Sequence, residues 1–100
     1  MIDFLKNYGI SDKTIEELKR TQSPSFLFDL NCNEEECVKI IKYLKEIGIN
    51  NIDELLLYES EIFFKVCKNV ITAFSKCDIE ELVELINEDA SNIEKIYSYL

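Results

Sequence analysis

The stretch "LKEIGINNIDELLLYESEIFF", Leu44 to Phe64, decides the fold, because it ends one helical pattern on Gly48 and starts another at Ile52. A glycine followed by Ile49 is the order expected where a helix stops on a left-handed residue, which costs least without a Cβ. Ile52 and Leu55 then open a second apolar face, and Ser60 ahead of Ile62 and Phe63 reads as the cap of a third helix. The unit is helix, tight turn, helix, capped helix.

Working outward, the same order returns on both sides. "ISDKTIEEL" (Ile10 to Leu18) and "FSKCDIEEL" (Phe74 to Leu82) are identical at five of nine positions. "INNIDEL" is a version two residues shorter, so Ile15, Ile52 and Ile79 correspond, as do Leu18, Leu55 and Leu82. Upstream, Leu5-x3-Gly9-Ile10 parallels Leu44-x3-Gly48-Ile49, whereas Ala73-Phe74 stands in the third copy; downstream, Pro24 with Phe26-Leu27 parallels Ser60 with Ile62-Phe63. Such units cannot bury an apolar face alone, and stacking neighbours supplies the missing partner. The expected fold is therefore all-α, a short right-handed or superhelical stack of about three helical triplets. It forms one domain over 1–100, with approximate units 2–30, 34–64 and 65–100.

Cap residues place roughly eight helices: 2–8, 12–21, 24–30, 34–47, 52–58, 61–76, 79–88 and 92–99. Asn33 with Glu36, Asp78 with Glu81 and Ser91 with Glu94 have the spacing of a capping box, and Ser23 precedes a proline at the first helical position. At 100° per residue, Cys37, Ile40, Ile41, Tyr43, Leu44 and Ile47 share one arc of helix 34–47, opposite Lys39, Lys42 and Lys45. Helix 61–76 has a broader apolar side, including Val66, Cys67, Val70, Ala73 and Phe74, with Phe64 and Ile71 at its margin. That breadth predicts a central helix with neighbours on more than one side.

Composition agrees with a helical class. Two glycines and one proline in 100 residues leave too little turn chemistry for an all-β chain, and 47% apolar side chains suffice for a core. Twenty acids against 11 basic residues give a net charge of −9, a field that repels phosphate backbones and anionic lipid. From Asp78 to Leu100 seven acids stand against Lys95 alone, so the C-terminal third is the acidic end. "MIDFLKNYGISD" lacks the basic flank and apolar run of a signal peptide, and no uncharged apolar stretch approaches the roughly 20 residues of a membrane helix. A cytoplasmic protein with no membrane partner is expected.

Four cysteines, Cys32, Cys37, Cys67 and Cys77, admit two disulfides or a four-thiolate metal site. Without a secretion signal, and with C-x4-C and C-x9-C spacing, neither is favoured. Cys37, Cys67 and Cys77 read as small buried hydrophobes and Cys32 as a loop residue, so no metal and no cofactor are expected.

The order L-x3-G-hydrophobic-S, then I-x2-L, then P-x-hydrophobic-hydrophobic resembles the repeat of mitochondrial transcription termination factors, the mTERF family. It is carried by Leu5 to Leu27, Leu44 to Phe64 and Ala73 to about Ile93. Only the first unit has the proline, one residue late; the second has Ser60 and the third Ala90. The resemblance implies a curved helical array, and in that family a basic groove on nucleic acid.

Catalysis has little material here: no histidine, no glycine-rich phosphate loop and no serine in a nucleophile-elbow setting. Acid runs such as Glu34-Glu35-Glu36 splay by about 100° per residue on a helix, so they read as solvated faces. Lys39, Lys42, Lys45, Lys65, Lys68 and Lys76 would form one nucleic-acid-binding stripe if the two longest helices lie side by side. The competing reading is outer-face solubility, with Lys39 and Lys42 four residues from Glu35 and Glu46. The expected function is a non-enzymatic helical-repeat module that binds another protein or itself. Nucleic-acid binding through the lysines is the alternative, disfavoured by the charge.

Overall fold

Three of the six α-helices start on a short-range side-chain cap. Ser11 accepts from the Thr14 amide, Ser23 from Phe26, and Asp78 from Glu81, each satisfying a donor that the helix itself leaves unpaired. The resulting order, in a computed structural model that describes residues 1–100, contains no strand. An N-terminal 3-10 helix (Asp3–Tyr8) is followed by α1 (Asp12–Thr21), α2 (Pro24–Cys32), α3 (Glu34–Glu46) and α4 (Ile52–Tyr58). A central 3-10 helix (Ser60–Phe64), α5 (Cys67–Ser75), α6 (Ile79–Glu88) and a C-terminal 3-10 helix (Ala90–Tyr99) complete the chain.

Gly9 and Gly48 end their helices in the same way. Their φ values are 89° and 102°. Gly9 donates to the Lys6 carbonyl and Ile10 to Leu5; Gly48 donates to Lys45 and Ile49 to Leu44. Both are Schellman turns, and both tuck the following isoleucine inward at 3% exposure. The third turn has no glycine and closes with Lys76 and Cys77 amides on the Ala73 and Phe74 carbonyls. Phe74 fills the inward place there.

One contiguous core of 26 apolar side chains runs through the chain. Leu18, Leu55 and Leu82 are all in it, as are Ile15 and Ile52, while Ile79 is only half-buried. The hub is α3, which packs against the N-terminal 3-10 helix, α2, α4, the central 3-10 helix and α5. The 61–76 segment does have neighbours on more than one side, since α5 lies against both α3 and the C-terminal 3-10 helix, but the hub is α3 rather than this segment.

The continuous helix 61–76 is itself replaced by two elements, which raises the expected eight segments to nine. Lys65 and Val66 are extended between them, with ψ of 176° and 131°. In an unbroken α-helix the Cys67 amide would donate to the Phe63 carbonyl four residues back. Here Cys67 N–H donates to Glu36 Oε1 at 2.8 Å, and the Phe63 carbonyl accepts from Asn33 Nδ2 at 2.8 Å. Asn33 and Glu36 are the pair whose spacing predicts a capping box on α3, yet Asn33 makes no side-chain cap there. Both groups are spent on a segment about thirty positions away, where they substitute for the donor and acceptor of a single helical bond.

Three smaller expectations also change. Asp89, not Ser91, caps the C-terminal 3-10 helix, accepting from the Ser91 amide at 2.9 Å. Cys32 closes α2 rather than lying in a loop, and Cys77 follows the end of α5 half-buried. Side chains also tie the glycine turns to later helices. Asp53 Oδ2 on α4 accepts from Ser11 N, Ser11 Oγ and Thr14 Oγ1 at 3.1, 2.9 and 2.8 Å. Asn87 on α6 accepts from Asn50 N and donates to the Gly48 carbonyl, at 2.9 and 3.0 Å.

Candidate interaction surface

The lysines expected in one stripe fall into separate settings. Lys39 is held by Glu35 at 3.7 Å and Glu36 at 3.2 Å, the first of these being the four-residue pairing expected on the helix. Lys42 does not pair with Glu46; its ammonium stands over the Tyr8 ring, 5.5 Å from the centroid. Lys45 donates to the Tyr8 carbonyl, a cation at the C-terminal end of the first 3-10 helix. Lys65 is half-buried in the extended link, and Lys76 is exposed beyond the end of α5. Lys68, on the first turn of α5, is exposed and has no ion-pair partner.

The break between the central 3-10 helix and α5 brings a different set together. Once the chain is extended at Lys65 and Val66, the Val66 side chain stands 49% exposed, and Ile71 on α5 is 42% exposed. Both line a groove of about 430 Å³ between α3 and α5, with Cys67 and Thr72 beside them and Glu36, Lys39 and Lys68 around them. Sequence reasoning places Val66 among inward residues because it assumes an unbroken helix. Ile71, at the margin of the apolar arc, was the one visible hint.

Electrostatics in the groove follow from which groups are already satisfied. Glu36 accepts from the Cys67 amide and from Lys39 Nζ, and these bonds hold its carboxyl below the ordinary carboxylate range, the backbone bond contributing most. Its charge is therefore largely committed within the fold. The Cys67 thiol is pushed up by burial and by Glu36, which makes it a poor nucleophile. Cys37, deeper in the core, is pushed up to about 12 by burial and then by Glu34. No group of three or more Cys, Asp or Glu side chains is arranged to hold a metal ion.

Lys39 and Lys42 meet again in a second shallow groove of about 460 Å³ with Tyr8, Glu34, Glu35 and Val38, where the two acids offset the two lysines. On the opposite part of the chain, Tyr97 Oη donates to Glu59 Oε2 at 3.2 Å, joining the end of α4 to the C-terminal 3-10 helix. Burial and then Glu94 raise the Glu59 pKa. Asp78, Glu80, Glu81, Glu84, Glu88, Asp89 and Glu94 are all exposed and make no ion pair. No helix is long and apolar enough to cross a membrane.

Comparison with family models, curated proteins and solved structures gives no match.

Proposed function

We propose that this chain is a small non-enzymatic module of about three helical triplets whose task is to bind another protein. The observation that carries the reading is the groove between α3 and α5, where Val66 and Ile71 stand exposed together beside the unpaired Lys68. Exposed apolar side chains that share one concavity with polar groups around them make a small candidate binding surface, whereas singly scattered ones are ordinary. The repeat reading draws support from the two Schellman turns and from the buried Leu18, Leu55 and Leu82. On that reading the acidic exposed face of α6 is the polar outer face that a terminal unit requires for solubility.

The test is photo-cross-linking from position 71 of the full chain in native extract, with position 80 as control. A discrete adduct, competed away by excess unlabelled protein and absent from position 80, is expected. Equal, non-saturable labelling from both positions refutes the reading.

The nucleic-acid function implied by the mTERF resemblance is a second reading, favoured by the absence of ion-pair partners at Lys42, Lys45, Lys65, Lys68 and Lys76. Duplex titration at several salt concentrations checks it, since contact with Z phosphates gives a log K slope of about −0.9Z against log salt. No binding at low salt eliminates it.

A further inference from the structure

Resting on the protein-binding reading, we infer that the α3–α5 groove takes an acidic amphipathic helical segment of another protein. Its apolar side chains would seat between Val66 and Ile71, and a carboxylate on its polar face would meet Lys68.

Charge complementarity selects that occupant. Within the groove Glu36 already accepts from Cys67 N–H and from Lys39, so it has little left to offer an incoming cation. Lys68 keeps an uncommitted ammonium on the rim, a local exception to a net charge of −9 that otherwise repels anionic groups. A carboxylate arriving here gains a charge-assisted hydrogen bond without displacing an internal partner. A lysine or arginine would instead meet the unpaired Lys68 directly, and like charges facing each other across an interface are costly.

The apolar floor narrows the choice further. Val66, Ile71 and the Cys67 sulfur offer aliphatic and thiol contacts and no aromatic face, so a stacked nucleobase finds no platform. An amphipathic helix presents apolar anchors at i, i+3, i+4 and i+7, and docks such a face into an apolar groove. A second copy of this chain is a poor occupant. Its most acidic helix, α6, already commits Leu82, Val83 and Ile86 to its own core and has only glutamates on its exposed face.

The probe is a synthetic peptide of about four helical turns, with Leu at the anchor spacing and Glu elsewhere, titrated into the full chain and followed by amide chemical shifts. Two control peptides carry Lys in place of Glu, or the Leu/Glu composition scrambled off the helical period; duplex DNA is a further arm. Saturable binding of the Leu/Glu helix is expected, with shifts centred on Val66 to Thr72, and weakening of about tenfold or more in Lys68→Glu and in Ile71→Ser. Both positions are on the surface, and an unchanged melting curve establishes that each variant folds.

Equal binding of the Lys peptide or the scrambled peptide overturns the inference, as does indifference to both substitutions. Duplex DNA binding at low salt in place of the acidic helix also overturns it, in favour of the lysine reading. If the acidic helix fails while position 71 still yields a competed adduct, the partner chemistry is wrong and the protein-binding reading stands.

Discussion

Removing Asn33 and Glu36 together should cost less than the sum of removing each alone. Asn33→Ala deletes a 2.8 Å hydrogen bond to the Phe63 carbonyl and a 3.4 Å contact to the Lys65 carbonyl, the second too long to contribute much. What remains is a part-buried carbonyl without a donor, a loss of about 1–3 kcal/mol. For a domain near 100 residues that lowers Tm by about 4–8 °C per kcal/mol. Glu36→Ala leaves the mirror defect, a Cys67 amide without an acceptor.

In the double variant the two orphaned groups are the natural partners of one helical bond, and they can pair. The coupling should therefore be favourable, in the range of about 0.5–3 kcal/mol seen for groups in one network. Urea unfolding of the four proteins, followed by circular dichroism, gives the cycle. Exchange protection of the Cys67 amide reports whether the helical bond has formed. Additive losses within about 0.5 kcal/mol, with Cys67 unprotected in the double variant, would falsify the account of why this segment is broken.

Other consequences are measurable in the same way. Leu18→Ala and Leu55→Ala, both fully buried, should each lose about 2–5 kcal/mol in denaturant unfolding, whereas Glu80→Ala on the exposed face should stay within about 0.5 kcal/mol. Gly48→Ala places a side chain at φ 102° with its Cβ in ordinary van der Waals contact, 3.6 Å from Val83 Cγ1, so no clash adds to the left-handed strain of about 1–2 kcal/mol, and Gly48→Asn should recover part of it.

The pH dependence has two limbs of opposite sign. Glu36 has a lowered folded pKa, so its stabilisation is present above the unfolded value and disappears as pH falls through the folded one. Glu59 has a raised folded pKa, so its contribution is full below the unfolded value and disappears as pH rises through the folded one. Urea midpoints from neutral to acid pH should accordingly lose acid sensitivity in Glu36→Gln and gain it in Glu59→Gln; the reverse order contradicts the assigned causes.

Much of this protein was legible in one dimension because the forces involved act over one helical turn. Ser11, Ser23 and Asp78 cap their own helices, Gly9 and Gly48 supply the left-handed residue, and α1, α4 and α6 begin and end where cap and period place them. Those are contacts between residues three to five apart, and a sequence carries them explicitly. The all-helical class, with Leu18, Leu55 and Leu82 buried, follows from the same period.

Tertiary structure alone decided where helix 61–76 breaks, which helix is the hub and which lysines remain uncommitted. Asn33 and Glu36 have a local use as an N-cap pair and a distant use on Phe63 and Cys67, and nothing in their spacing says which is taken. A hydrogen-bonding group goes to whichever partner the packed chain leaves unsatisfied, and that accounting closes only when all elements are in place. The interaction groove depends on that outcome, because the exposed Val66 comes from the extended link between the two elements.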